Sequence, residues 1–158
     1  MSQEDIDRLI AERSMARQEF DDAQVARYWA KAVGALANAR VAGLSSDTAF
    51  QIVYTGALQA TLACLAAHGL RVKSTASHYK AFLAMQKLDD SLRRHGSRFD
   101  ALRAIRHDSI YEPTEDEAGM AAHLAEALRV VTEALPAISD AISAARPNLR
   151  GTLAAPDR

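Results

Sequence analysis

Apolar side chains return every three or four positions along most of this chain. Val25, Tyr28, Trp29, Ala32, Val33, Leu36 and Ala39 lay one apolar stripe on a helix predicted over 22–42. Phe50, Val53, Tyr54, Leu58, Leu62 and Leu65 do the same over 47–68. Ser45, Ser46 and Asp47 stand there as cap residues, and Gly43 and Gly69 as helix stops. Ala49, Gly56, Ala57, Ala60, Ala63 and Ala66 surround that helix with small residues. Neighbours can then approach it closely on several sides, so it is expected to be the central helix. Ser2, Glu4 and Asp5 open a shorter helix over 3–16, followed by a polar joint around Gln18–Asp22.

In the second half, GLRVKS reads as a loop, and Ser74 or Ser77 starts a helix over 76–94 with Tyr79, Phe82, Leu83, Met85 and Leu88. Gly96 is expected to interrupt it before a helix over 98–109. After Pro113, Thr114 and Glu117 form a T-x-x-E capping box that opens a long last helix. Pro136 lies inside that pattern and predicts a kink or a break. The sequence thus predicts an all-α fold, an antiparallel up-and-down bundle of four to five helices with no sheet. It forms one domain over 1–146, with an aperiodic, flexible tail over 147–158. Tyr28, Trp29, Phe50, Tyr54, Leu58, Leu62, Phe82, Leu102, Leu124 and Leu128 are the expected core.

Composition agrees. The 158 residues include 33 alanines but only 7 glycines and 4 prolines, a helix-forming balance. No apolar run approaches the roughly 20 residues of a membrane span, and the charged start MSQEDIDRLIAERS lacks an apolar signal core. No membrane role is therefore expected, and a cytoplasmic setting is. The net charge of −1 makes any basic patch a local feature.

Most catalytic patterns are missing. The residues three before each histidine are Leu65, Thr75, Leu92, Ala104 and Met120, so no Glu-x-x-His di-iron pair exists. There is no H-E-x-x-H, no cysteine pair and no phosphate loop, so neither a metal nor a cofactor is expected. Cys64 reads as a buried, inert thiol. Ser77 and His78 are adjacent on one helix and so do not face each other, which argues against a nucleophile–base pair.

One stretch departs from this background. Lys87 to Arg106 holds six basic residues against three acids, and Asp108 to Glu117 holds five acids and no base. Arg103, Arg106 and His107 fall at helical spacings of three and four, and Tyr111 continues the stripe. Arginine and histidine together can grip a phosphate and move a proton. A structural polar network, with Asp100 beside Arg103, accounts for the same residues and is the reading they favour alone.

Three segments carry a family likeness: ARYWAKAVGALANAR, AFQIVYTGALQATLACLAAHGLRVKSTASHY and FDALRAIRHDSIYEP. In this order, across residues 3–145, they resemble the HEPN domains, small helical bundles of prokaryotic toxin–antitoxin and defence systems. The resemblance implies a homodimer. It also associates metal-independent RNA cleavage with an arginine, a polar residue and, after a few more positions, a histidine, two such motifs sharing one cleft. Arg106 matches the arginine and His107 the polar position, but Tyr111 stands where the histidine is expected. The form Arg103, Arg106, Tyr111 is similar to a HEPN branch without a clear nuclease signature. Tyrosine, with a pKa near 10, is a poor base at neutral pH. The resemblance therefore implies a noncatalytic or weakly catalytic interaction module that dimerises through Arg103, Arg106 and Tyr111. His107 and His78 join them as RNA- or partner-contacting residues. It also leaves open a metal-independent endoribonuclease using Arg106 with His107 or Tyr111. A third possibility is a ligand-binding module acting with a nucleotidyltransferase, or an antitoxin, as partner.

Overall fold

The structure, a computed structural model, describes residues 3–74 and 77–153. The expected Ser2 cap, the predicted helix start at 76 and tail positions 154–158 lie outside the described residues. Helix α1 spans Gln3–Ala11, α2 Asp22–Ala39, α3 Ser46–Ala67, α4 His78–Leu88, α5 Asp90–Tyr111 and α6 Glu117–Ala145, followed by a single 3-10 turn, Pro147–Leu149. The fold is a helical bundle with six helices among the described residues, where four to five were expected.

It also contains a small sheet that the periodicity did not predict. Strands β1 (Met15–Arg17) and β2 (Leu70–Val72) pair antiparallel, with Met15 opposite Val72 and Arg17 opposite Leu70. The predicted first helix therefore stops early: Arg13 turns left-handed at φ 61°, and the chain leaves α1 as a strand. Met15 and Leu70 are buried, so the ribbon closes the bundle where the expected joint and loop were placed. Three alternating residues per strand are too few for a period to register.

Helix α3 is central. It packs on α2 through Gly56, whose hydrogen faces Ala35 and the Ala32 carbonyl; a Cβ there would come within 3.2 Å of Ala35. By length and hydropathy α3 could cross a membrane, contrary to the expectation from composition, but 67% of its most apolar window is buried within the bundle. Ser46 N–H donates to Glu117 at one end of α3, and at the other end Arg146 Nε donates to the Ala67 carbonyl. α6 therefore runs parallel to α3, while α2 and α5 run against both. α4 departs from strict alternation. Tyr54 meets His78 at the start of α4, and Asp89, just past its end, acts on Cys64 and is acted on by His68 near the end of α3, so α4 runs with α3.

Three expected boundaries are corrected. The break between α4 and α5 falls at Asp89, which caps α5 by accepting from Ser91 N–H at 2.7 Å, and not at Gly96. Asp116, not Thr114, caps α6 by accepting from Gly119 N–H, which leaves Glu117 to reach Ser46. α6 runs unbroken through Pro136, which faces solvent beside exposed Thr132, so the unpaired Thr132 carbonyl can be hydrated. Tyr28, Leu58, Leu62, Leu124 and Leu128 are half-buried; the other five expected core residues are buried. Leu149, within the expected tail, is buried as well.

Gly96 is a contact residue. A Cβ there would lie 2.4 Å from Gln86 Cγ and 2.9 Å from the Phe82 carbonyl oxygen. Alanine normally stabilises a helix interior by about 1 kcal/mol over glycine. Here Gly96→Ala is expected to destabilise by about 1–3 kcal/mol in urea unfolding, because α4 and α5 must separate. Neutral or increased stability would contradict this packing.

Candidate functional site

Helix α5 presents Leu102, Arg106 and Phe99 towards α3 and α4, because residues three and four apart share a helix face. Phe99 and Leu102 are buried, and Arg106 is half-buried. The Arg106 guanidinium carbon lies 5.1 Å from the Tyr54 ring centroid, and that of Arg103 lies 5.7 Å from the Tyr79 ring. Tyr54 in turn shares a 2.7 Å hydrogen bond with His78 Nδ1. Phe82 packs edge-on to Tyr54 and Phe99 behind this cluster and fixes the three helices relative to one another.

The electrostatics follow from this arrangement. Burial pushes the Tyr54 phenol up to about 12, partly offset by Arg106 and Arg103, so it stays protonated. Burial, then the same two arginines, lower the His78 pKa below its ordinary value of 6.5. His78 is therefore neutral at pH 7, with Nδ1 engaged by Tyr54. Arg103 is paired with Asp100 at 2.6 Å. Arg106 has no ion pair among the described residues.

The structure divides the predicted stripe. His78, Arg103 and Arg106 gather around Tyr54 and Tyr79. His107 and Tyr111 point outward, stacked on each other with centroids 4.8 Å apart, and Tyr111 is 69% exposed. Tyr54 and Tyr79 were read from sequence only as apolar helix positions, and nothing in their spacing marks them as partners of His78 and Arg106.

On the other side of α5, Asp47, Asp108, Glu112, Glu115 and His123 line a cavity of about 380 Å³ with Ile105 and Met120. Ser109 donates to Asp47 and ties α5 to the start of α3. Among the described residues no three His, Cys, Asp or Glu side chains gather to hold a metal ion. At this same end of the bundle lie Val41, Leu44, Ile110 and Tyr111, four of the five exposed large apolar side chains among the described residues.

His95, on α5, is a buried imidazole whose Nδ1 has no partner among the described residues. Burial, Arg94 and Arg98 lower its pKa, against Glu133. In the unfolded chain His78 and His95 protonate near 6.5, whereas in the folded chain both resist protonation. Stability is therefore expected to be full above about pH 6.5 and to fall as the pH drops below it. His95→Gln should flatten that fall in urea titrations at pH 5 to 7, and an unchanged slope would contradict it.

Comparison with family models, with curated proteins and with solved structures finds no match for this chain.

Proposed function

We propose that this chain is a HEPN-like interaction module that works as a homodimer and has little or no catalytic activity of its own. The observation that carries the reading is the grouping of Val41, Leu44, Ile110 and Tyr111 at one end of the bundle. Exposed apolar and aromatic side chains concentrated in one place mark interaction surfaces, and tyrosine and arginine are favoured there. The flanks supply the partner. On one side of Ile110 and Tyr111 stand Arg103 and Arg106, and on the other the cavity lined by Asp47, Asp108, Glu112 and Glu115. A two-fold axis near Tyr111 sets each basic flank against the acidic flank of the second copy. A toxin–antitoxin or defence setting, with a nucleotidyltransferase or antitoxin as further partner, follows from the resemblance alone.

Light scattering at tens of micromolar tests this reading. The wild type should have twice the mass of the chain, and the Ile110→Glu/Tyr111→Glu variant should be a monomer with unchanged circular dichroism. A monomeric wild type would overturn it.

The position of His78 favours a second reading, a metal-independent endoribonuclease. A neutral imidazole beside Arg106 is the proton acceptor that Tyr111 does not provide. The base would then be His78, not His107. RNA incubated with the protein and EDTA separates the readings. We expect no cleavage. Cleavage lost in both Arg106→Ala and His78→Ala, and retained in His107→Ala, would replace the first reading with the second.

A further inference from the structure

Helix α2 carries a second cavity, of about 230 Å³, towards the end of the bundle where Arg146 bonds the Phe20 carbonyl and Asp22. Phe20, Gln24, Arg27, Tyr28 and Lys31 line it, and none of these five is acidic. The four on α2 share one face, since they stand three, four and seven residues apart. Phe20 and Tyr28 form an aromatic wall, edge to face with centroids 6.3 Å apart. Phe20 is buried, Tyr28 half-buried, and Arg27 and Lys31 exposed.

Three features of this groove define what it can take. First, its polar groups are donors. Arg27 and Lys31 have no ion pair among the described residues. The Gln24 side-chain oxygen accepts from Asp21 N–H, so its free group is the amide N–H₂. Like charges one turn apart weaken a helix, and an anion set between Arg27 and Lys31 removes that repulsion. Second, the donors stand beside two rings, so the anion's body is apolar and flat. Aromatic rings prefer offset or edge-on neighbours at centroid separations of about 4.5–7 Å, the arrangement Phe20 and Tyr28 already adopt with each other. Third, the groove is small. Pockets for drug-sized molecules begin at about 300 Å³, so about 230 Å³ suits a ligand of a single ring. A carboxylate is the anion whose flat fork meets a guanidinium through two parallel hydrogen bonds, and it continues the plane of a ring attached to it.

We propose that this groove binds a small aromatic carboxylic acid, its carboxylate on Arg27 and Lys31 and its ring against Tyr28 and Phe20. The site belongs to a single protomer and lies away from Tyr111, so it stands whether or not the dimer forms.

The test is a titration of the full chain, followed by amide and tyrosine-ring resonances, with benzoate as the probe and acetate, benzyl alcohol and inorganic phosphate in parallel. Benzoate should give saturable shifts confined to Phe20, Gln24, Arg27, Tyr28 and Lys31 and their neighbours, with a Kd of about 1 mM or below. Acetate, which lacks the ring, and benzyl alcohol, which lacks the charge, should each bind at least about ten-fold more weakly. Arg27→Gln/Lys31→Gln, at two exposed positions whose replacement spares the core, should weaken benzoate at least about ten-fold. Arg93→Gln, at an exposed arginine on α5, should leave it unchanged. No saturable shift, shifts elsewhere on the chain, or equal binding by the double variant would overturn the site. Acetate or phosphate binding as tightly as benzoate would overturn the aromatic carboxylate assignment.

Discussion

Replacing Phe82 with alanine is expected to lower the unfolding free energy by about 3–5 kcal/mol, the largest single effect in the bundle. Phe82 is fully buried on α4 and touches two rings on two other helices: Tyr54 at 6.1 Å on α3 and Phe99 at 5.8 Å on α5. α4 is only 11 residues long, so its position depends on packing more than on its own helical stability. The cavity would sit directly behind the Tyr54–His78 pair. His78 is therefore expected to regain a more ordinary pKa in the variant as water reaches it. Urea unfolding gives the first quantity and the pH dependence of the His78 ring resonances the second. A loss below about 1 kcal/mol would mean that Phe82 does not join the three helices.

The second large effect is expected at Arg146. Its guanidinium donates to the Phe20 carbonyl at 2.8 Å, to the Ala67 carbonyl at 3.0 Å and to Asp22 at 3.0 Å. One planar fork thus ties the end of α6 to the start of α2 and the end of α3. Arg146→Met keeps the aliphatic stem but leaves two carbonyls and a carboxylate without their donor. About 2–3 kcal/mol should be lost, below the cost of a fully buried ion pair because the side chain is 22% exposed. Arg146→Lys should recover less than half of this, since a single ammonium cannot reach three acceptors spread across the fork. Thermal unfolding of the three proteins side by side checks the order, and a lysine variant equal to the wild type would show that charge alone acts there.

The long helices were legible because their apolar stripes extend over several turns. α2 and α3 start within a residue of their predicted starts, where Asp21 and Ser45 accept from the first-turn amides. What misled the reading was local. Glycine is a common helix stop, yet Gly96 sits inside α5 because the α4 backbone passes against it, a tertiary fact that no local pattern carries. The real break at Asp89 has neither glycine nor proline to announce it. The ribbon of β1 and β2 joins residues more than fifty positions apart through three pairs, below what alternation can reveal.

The site was legible in part. The charge run exposed Arg103 and Arg106, and the helix start exposed His78. Their meeting point was hidden, because Tyr54 lies 24 residues before His78 and looks like any apolar position of α3. Spacing alone also grouped His107 with Arg106, whereas adjacent residues on a helix diverge by about 100°, enough to turn His107 to solvent.

The measurement that tests the dimer reading most directly is amide hydrogen exchange at two protein concentrations, one dilute and one at tens of micromolar. The account predicts that exchange slows with concentration at residues 41–47 and 103–112, the end bearing Val41, Leu44, Ile110 and Tyr111, and stays unchanged over α2 near Arg27 and Lys31. Exchange independent of concentration at 103–112, or concentration-dependent protection confined to another face, would contradict it.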